Sequence, residues 1–292
     1  MKKRKFTILG GDKRNVELAR LLMEDSNEVQ TFALNDTEYY LPKCKTLEEA
    51  LDYGKIIVGP LPISRDGKTL NTPLFSESIE LERILRGLTE KNIFIAGKIG
   101  SHFLENAKKK GIVLEDYFAR EEMQIFNAIP TAEGAIQIAM EQMDITLHNS
   151  NAMILGYGRI GKALSKMLQG IGANVYVEAR KYEDLAWIKN QGYFPIHLKE
   201  LDFYINRMDV VFNTVPSMIL DEKRLEKLNA NCIIIDLASS PGGVDFEKAK
   251  ELGIKAILAS GLPGKVARVT AAAIIRDTIY HIIQEREEEK WD

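Results

Sequence analysis

Short apolar runs rich in β-branched residues alternate along the chain with longer stretches whose apolar positions recur at helical spacing. In the first part, KFTILG (5–10), VQTFAL (29–34), KIIVGP (55–60), NIFIAG (92–97) and IVLEDY (112–117) read as strands. Asp12 to Met23 reads as a helix, and further helices are expected near 74–87 and 101–110. A break is expected at Pro130. From Thr131 to His148 the apolar positions 135, 136, 139, 140, 143 and 147 keep helical spacing, with Thr131 as N-cap and Glu133 in the first turn. After Asn149-Ser150-Asn151 a second alternation begins, with strands expected at 152–156, 174–177, 209–213, 232–236 and 255–259. A long helix from Lys265 to Gln284 closes the pattern, followed by the solvated run EREEEK.

Strand–helix alternation of this kind argues for parallel sheets covered by helices. The expected organisation is two α/β halves of similar size, 1–130 and 131–270, joined by a long linker helix, with a C-terminal helix over 271–292 packing back on the first half. A length of 292 residues agrees with about two domains. The 39 basic and 42 acidic side chains leave a net charge of −3 and no basic excess to neutralise a phosphate backbone, so no nucleic-acid partner is expected. No apolar run approaches the roughly 18–20 residues of a membrane span. The start MKKRK-FTIL meets Gly10 and Gly11 too early for the apolar core of a signal peptide. Cys44 and Cys232 cannot make a disulfide framework, and Cys232, in CIIID, reads as a small core residue. A cytoplasmic protein is expected. No Cys/His cluster has metal-ligand spacing, so no metal is expected.

Candidate chemistry concentrates in Gly156-Tyr157-Gly158-Arg159-Ile160-Gly161, which follows one strand, opens a helix and precedes a second strand. That context is the one a dinucleotide fingerprint requires. Gly156 permits the tight turn, Gly158 lets a pyrophosphate approach the backbone, and Gly161 lets the helix pack close to the strand, while the helix opened by Arg159 and Ile160 presents the positive end of its dipole to the phosphates. Residues 131–270 therefore read as an NAD(P)-binding Rossmann domain. Val175 and Val177 set the inward phase of its second strand, which puts Ala179, not an acid, at the in-phase position where NAD-selective sites carry a carboxylate. Glu178 is out of phase, able to reach the ribose hydroxyls or to stand as a solvated strand-end carboxylate. Arg180 can meet a 2′-phosphate. NADP is the expected cofactor, with NAD as the alternative. Thr214, Val215 and Pro216 end the strand facing the adenosine side, and Ala238 and Ser239 end the next, nearer the nicotinamide.

In the first half, Gly10-Gly11-Asp12 also joins a strand to a helix but lacks a third glycine. Asp12 serves as an N-cap, or the turn serves a ligand with Arg14 facing a carboxylate. Gly59-Pro60-Leu61-Pro62 and Lys98 likewise follow strand ends, and all three segments are expected to open toward the other half.

Two-domain dehydrogenases acting on D-2-hydroxyacids use a histidine near the end of the cofactor domain. None of His102, His148, His197 and His281 lies in the loop after KAILA. That loop, Ser260-Gly261-Leu262-Pro263-Gly264-Lys265-Val266, is instead similar to one in alanine dehydrogenase and proton-translocating transhydrogenase. Five segments together, Gly10-Gly11-Asp12-x-Arg14, Ile129-Pro130-Thr131-Ala132-Glu133-Gly134, Asn213-Thr214-Val215-Pro216-Ser217-Met218-Ile219-Leu220, Asp236-Leu237-Ala238-Ser239-Ser240-Pro241-Gly242-Gly243 and Gly261-Leu262-Pro263-Gly264, run in the order of one family. From end to end the chain resembles the A subunits of dipicolinate synthase, departing from their pattern at Ser240, Ser260 and Arg268.

The resemblance implies an α/β fold of two Rossmann-like parallel-sheet domains on the two-domain hydroxyacid/alanine dehydrogenase plan, with residues 1–130 as the substrate and catalytic domain. It also implies oxidation of dihydrodipicolinate, a lysine-pathway branch product, to the dipicolinate of bacterial endospores with reduction of NADP or NAD. The implied partners are other copies of the chain and a flavoprotein-like B subunit. A small dicarboxylate substrate needs cations, for which Arg14, Arg120 and Lys98 are the candidates, with Thr131 as a further ligand or plain N-cap. Glu133 and Lys98 are the candidate catalytic groups. Two other readings stay open: a nicotinamide-binding regulatory subunit without chemistry of its own, and an alanine- or 2-hydroxyacid-type dehydrogenase.

Overall fold

The computed structural model describes residues 3–35 and 38–288. The chain divides into two compact units, one running up to Phe126 and resuming at Ala267, the other spanning Asn127–Val266. These boundaries fall a few residues before the expected 130 and 270.

The first unit is built on a five-stranded parallel sheet of β1 (Lys5–Leu9), β2 (Glu28–Phe32), β3 (Ile56–Val58), β4 (Ile93–Ala96) and β5 (Val113–Asp116), in the order β2-β1-β3-β4-β5. Its central strands are buried on both faces, as a helix-covered parallel sheet requires. The helix Lys13–Glu24 starts where Asp12 accepts a hydrogen bond from the Arg14 N–H. A short helix that the pattern did not announce, Leu47–Tyr53, is held by a reciprocal cap: Thr46 Oγ1 accepts from the Glu49 N–H and the Glu49 carboxylate accepts from the Lys45 N–H. The expected helix near 74–87 shrinks to Leu81–Gly87, while Ser101–Lys109 forms as expected.

The closing helix spans Arg268–Glu288, and the residues before it form a separate turn of helix, Leu262–Val266. Its apolar stripe of Ala272, Ile275, Ile279, Ile282 and Ile283 joins the core made by Phe6, Val16, Ala19 and Leu22. Ion pairs fasten its polar side, with Arg268 to Glu17 and Glu38, Arg4 to Glu287 and Arg286 to Glu115.

The second unit holds a six-stranded parallel sheet: β6 (Asn151–Leu155), β7 (Asn174–Ala179), β8 (Phe194–His197), β9 (Val210–Asn213), β10 (Ile233–Asp236) and β11 (Lys255–Leu258). Its order, β11-β10-β9-β6-β7-β8, is that of a dinucleotide-binding sheet. The pattern did not announce β8. It is an edge strand carrying Pro195, with Phe194 exposed, and so lacks the apolar run of a central strand.

Pro130 does not break the chain. The helix runs from Glu121 to Gln142 with Pro130 inside it, so Thr131 is not an N-cap and Glu133 is not in a first turn. Thr131 instead donates its hydroxyl proton to the Asn127 carbonyl at 2.8 Å, a back-bond within the helix. An interior proline costs a helix roughly 3 kcal/mol. Burial of small side chains on both sides of it, Ala128, Ala132, Ala135 and Ala139, offsets that cost.

Candidate functional site

In the second unit β6 and β9 are sheet neighbours although β7 and β8 intervene in the chain, which makes their carboxyl ends the topological switch point where open α/β sheets bind ligands. A cleft of about 400 Å³ opens there. Gly156 and Gly158 from the β6 turn form one wall, Glu178, Ala179 and Arg180 from the end of β7 a second, and Thr214, Val215 and Pro216 after β9 a third.

The glycines are explained by what surrounds them. Gly156 sits at φ +94°, and a Cβ there would press on Thr214 Oγ1 and Val215. Thr214 is pinned in turn, its N–H and its hydroxyl both donating to the Leu155 carbonyl. A Cβ on Gly161 would collide with the Gly156 carbonyl oxygen, whereas one on Gly158 would meet nothing within 4 Å. Space over Gly158, in front of the N-terminus of the helix Arg159–Ile171, is what a pyrophosphate needs.

Glu178 corrects the strand-phase argument. Val175, Val177 and Ala179 do face one core layer, but β7 ends at this point and both Glu178 and Ala179 border the cleft. Glu178 is not solvated: it is 2% exposed, and its Oε1 is buried with no hydrogen-bond partner. Burial pushes its carboxyl above the ordinary range, against the opposing pull of the Gly156 N–H and of Arg180 and Arg224. Arg180 is exposed beside it and makes no hydrogen bond or salt bridge among the described residues. The motif did not announce the rest of the wall, Asp184, Leu198, Ser217, Met218, Ile219 and Arg224, since these residues come from loops and short helices without a signature.

Ala238 and Ser239 lie outside the cleft lining, in the loop after β10. That loop is tied to the one after β9 through buried side chains. Asn213 Nδ2 donates to Asp236 Oδ1 at 2.8 Å, and the Ala238 and Gly243 N–H groups donate to the same carboxylate. Arg159, Ile160 and Gly161 form the first turn of the helix behind the glycine turn.

In the first unit β1 and β3 are the neighbours that the chain leaves and rejoins, so the Gly10–Gly11 turn and the Gly59–Pro62 segment flank a second switch point. Arg14 is held there. Its Nε and Nη2 donate to the Asp12 carboxylate, and Nη2 donates to the Leu61 carbonyl at 2.6 Å. Burial alone would raise the Asp12 carboxyl, but the hydrogen bonds and charge of Arg14 outweigh it and leave Asp12 below its usual range. Lys98, just past β4, has an exposed side chain and a φ of +56°, a strained value for a lysine; the Asp116 carboxylate holds this turn by accepting the Lys98 and Ile99 N–H groups.

Arg120 does not stand beside Arg14 as an open cation. Its guanidinium grips Glu285 with two hydrogen bonds of 2.6 Å and Glu122 with one of 2.8 Å, so it fastens the closing helix. Thr131 and Glu133 belong to the second unit but do not line the β6–β9 cleft; Glu133 borders an apolar groove with Ile136, Met140 and Met167.

Comparison with known proteins decides the family. Residues 5–118 match the family of the N-terminal domain of the dipicolinate synthase A subunit, and residues 119–244 match the NAD-binding domain of D-isomer specific 2-hydroxyacid dehydrogenases. The chain is 34% identical to the dipicolinate synthase A subunit of Bacillus subtilis (strain 168), over 98% of each sequence. The chain belongs to the dipicolinate synthase A-subunit family. The crystal structure of the dipicolinate synthase A chain from Bacillus subtilis superposes with a TM-score of 0.88 at 32% identity, covering 99% of this chain and 98% of that one. Transhydrogenase from Sinorhizobium meliloti shares the fold, with a TM-score of 0.72 at 13% identity over 96% and 94% of the two chains. Like other members of that family, this chain carries a dehydrogenase-type domain for a nicotinamide cofactor, the domain of an oxidoreductase. The lettered designation of the Bacillus protein marks a multi-subunit enzyme. Among the described residues no helix is long and apolar enough to cross a membrane, and no group of three His, Cys, Asp or Glu could hold a metal ion.

Proposed function

We propose that this chain oxidises dihydrodipicolinate to dipicolinate in the cytoplasm of a sporulating bacterium, as the nicotinamide-dependent partner of a flavoprotein-like B subunit. The observation that carries the reading is the nucleotide cleft at the β6–β9 switch point in a chain of this family. NADP, with NAD as the alternative, is the proposed cofactor: exposed and unpaired among the described residues, Arg180 is suited to a 2′-phosphate. Gly156, Gly158 and the helix N-terminus would hold the pyrophosphate, Thr214 to Pro216 the ribose, and the loop of Ala238 and Ser239 the nicotinamide end. When bound, the cofactor accepts the hydride.

In the reaction the dihydropyridine ring loses a hydride and a proton and becomes aromatic. Aromatisation favours products, so the protein's main task is to hold and orient a dicarboxylate. We assign that task first to Arg14, pre-oriented by Asp12 and Leu61 at the first sheet's switch point. Lys98 and Glu133 are the proposed groups for the departing proton. The strained backbone of Lys98 supports it; Glu133 rests on its exposed side chain alone. Thr131 is proposed only as a helix-stabilising hydroxyl, given its bond to Asn127.

Incubation of the pure chain with NADP⁺ and freshly generated dihydrodipicolinate tests the reading. Parallel growth of dipicolinate and NADPH absorbance is the expected result. Nucleotide binding without turnover, unchanged when the B subunit is added, would leave a regulatory nicotinamide-binding protein instead, and turnover of alanine or a 2-hydroxyacid would mark an ordinary dehydrogenase of this fold.

A further inference from the structure

The nucleotide cleft contains a contradiction in charge. At the end of β7, where the 2′ position of the adenosine ribose is read, Arg180 and Lys181 favour a 2′-phosphate, while the carboxyl of Glu178 stands beside them. Four charged residues line the cleft together with Glu178. Arg180 is on its own strand end, Lys181 and Asp184 are at the start of the following helix Tyr182–Asn190, and Arg224 is on the short helix Glu222–Leu225. Arg224 is already engaged, its Nε donating to Asp202 and its Nη1 to the Ile219 carbonyl. Glu178 itself has no compensating bond at Oε1 and is almost wholly shielded from water. An ionised carboxylate in that position is poorly satisfied, and a phosphate dianion beside it would be repelled. A protonated carboxyl would escape the repulsion and could donate to the phosphate.

We propose that Glu178 sets the choice between NAD and NADP through its proton. Ionised, it accepts a hydrogen bond from the 2′-hydroxyl of NAD; protonated, it admits the 2′-phosphate of NADP between itself and Arg180. The NADP complex therefore holds one proton more than the NAD complex, and the preference of the chain for NADP strengthens as pH falls. The inference rests on the cleft being the nucleotide site, and it holds whichever substrate the chain oxidises.

The test is calorimetric titration of the whole chain with NAD⁺ and NADP⁺ at pH 8, in two buffers of different ionisation enthalpy. At that pH a phosphate monoester, with its second pKa near 6, is already a dianion, so any proton taken up comes to the protein. The NADP⁺ complex is expected to hold up to one proton more than the NAD⁺ complex, whether as uptake with NADP⁺ or as release with NAD⁺. Between about pH 9 and pH 7 the ratio of the two dissociation constants should move at least tenfold toward NADP⁺. In Glu178→Gln, which fixes a neutral side chain of the same shape, both the difference in proton number and the movement of the ratio should vanish. Equal proton numbers for the two nucleotides in the unaltered chain overturn the proposal, even if E178Q does not fold. An E178Q chain that keeps the same difference in proton number overturns it as well. Failure of both nucleotides to bind would instead refute the assignment of the cleft.

Discussion

Gly161 lies against the carbonyl of Gly156 so closely that a Cβ on Gly161 would overlap the oxygen, while Gly158, between them in the fingerprint, faces open space. The three glycines are therefore not equivalent. Gly161→Ala must push the helix Arg159–Ile171 away from the end of β6 and should lower the melting temperature by several degrees, because overpacking of this kind costs about 1–3 kcal/mol. Gly158→Ala has an ordinary φ of −80° and no clash. It should leave the melting temperature within a degree or so and weaken nucleotide binding tenfold or more, since the methyl occupies the approach of the pyrophosphate. Thermal melts and nucleotide titrations of the two variants check this. Unchanged nucleotide affinity in Gly158→Ala would show that the open space over Gly158 has no functional meaning.

Arg180 borders the same cleft with no ion pair of its own among the described residues. A charge-assisted hydrogen bond is worth roughly 1.5–3 kcal/mol. Arg180→Ala should therefore weaken NADPH about tenfold or more and barely alter NADH. Fluorescence titration with each reduced nucleotide gives the answer, and equal losses for both would make Arg180 a structural residue.

Every strand of both sheets except the edge strand β8 is legible in the sequence, as is the glycine fingerprint, because each is a local signal: an apolar run between turns, or glycines at fixed spacing. What escapes is set by tertiary context. Pro130 carries a local signal for a break, yet Ala128, Ala132, Ala135 and Ala139 bury so well around it that the helix persists. Glu178 reads as out of phase, either a solvated carboxylate or a reach toward the ribose hydroxyls, when the phase of β7 is taken from Val175 and Val177; at the last residues of a strand, side chains of either phase can reach a cleft over the sheet edge. Arg120 reads as available because the partner that takes both its terminal nitrogens, Glu285, lies 165 positions away in the chain, even though its second partner, Glu122, is close by. A cation's availability depends on such distant partners, which no local pattern records.

Arg14 and Arg120 should separate cleanly in mutants for that reason. Arg14→Lys keeps the charge but loses the fork that holds Asp12 and Leu61 and would meet a carboxylate, so the KM for dihydrodipicolinate should rise tenfold or more with nucleotide affinity unchanged. Arg120→Ala should leave KM alone and lower stability by about 1 kcal/mol or less, as expected for a pair about half exposed at Glu285. Steady-state kinetics and denaturant melts of the two variants are sufficient. A steep rise in KM for R120A would restore Arg120 to the substrate site.

Glu178 also makes a statement about the free protein. Its folded-state carboxyl lies above the ordinary range because of burial, so folding favours the protonated form. Below the unfolded glutamate value, near pH 4, both states are protonated and the side chain exacts no ionisation penalty; as pH rises through that value toward the higher folded one, the unfolded chain ionises first and native stability is lost. Glu178→Gln removes this dependence without changing the shape of the side chain. With no nucleotide present, E178Q and the unaltered chain should differ little near pH 4. At pH 8 E178Q should be the more stable by about 1 kcal/mol, the scale of one unsatisfied buried polar group. Urea melts across that range measure the difference, in which the titration of every other carboxylate cancels. Should E178Q prove less stable at pH 8, the attraction of Arg180 and Arg224 for an ionised Glu178 outweighs its burial, and the carboxylate is charged in the resting protein.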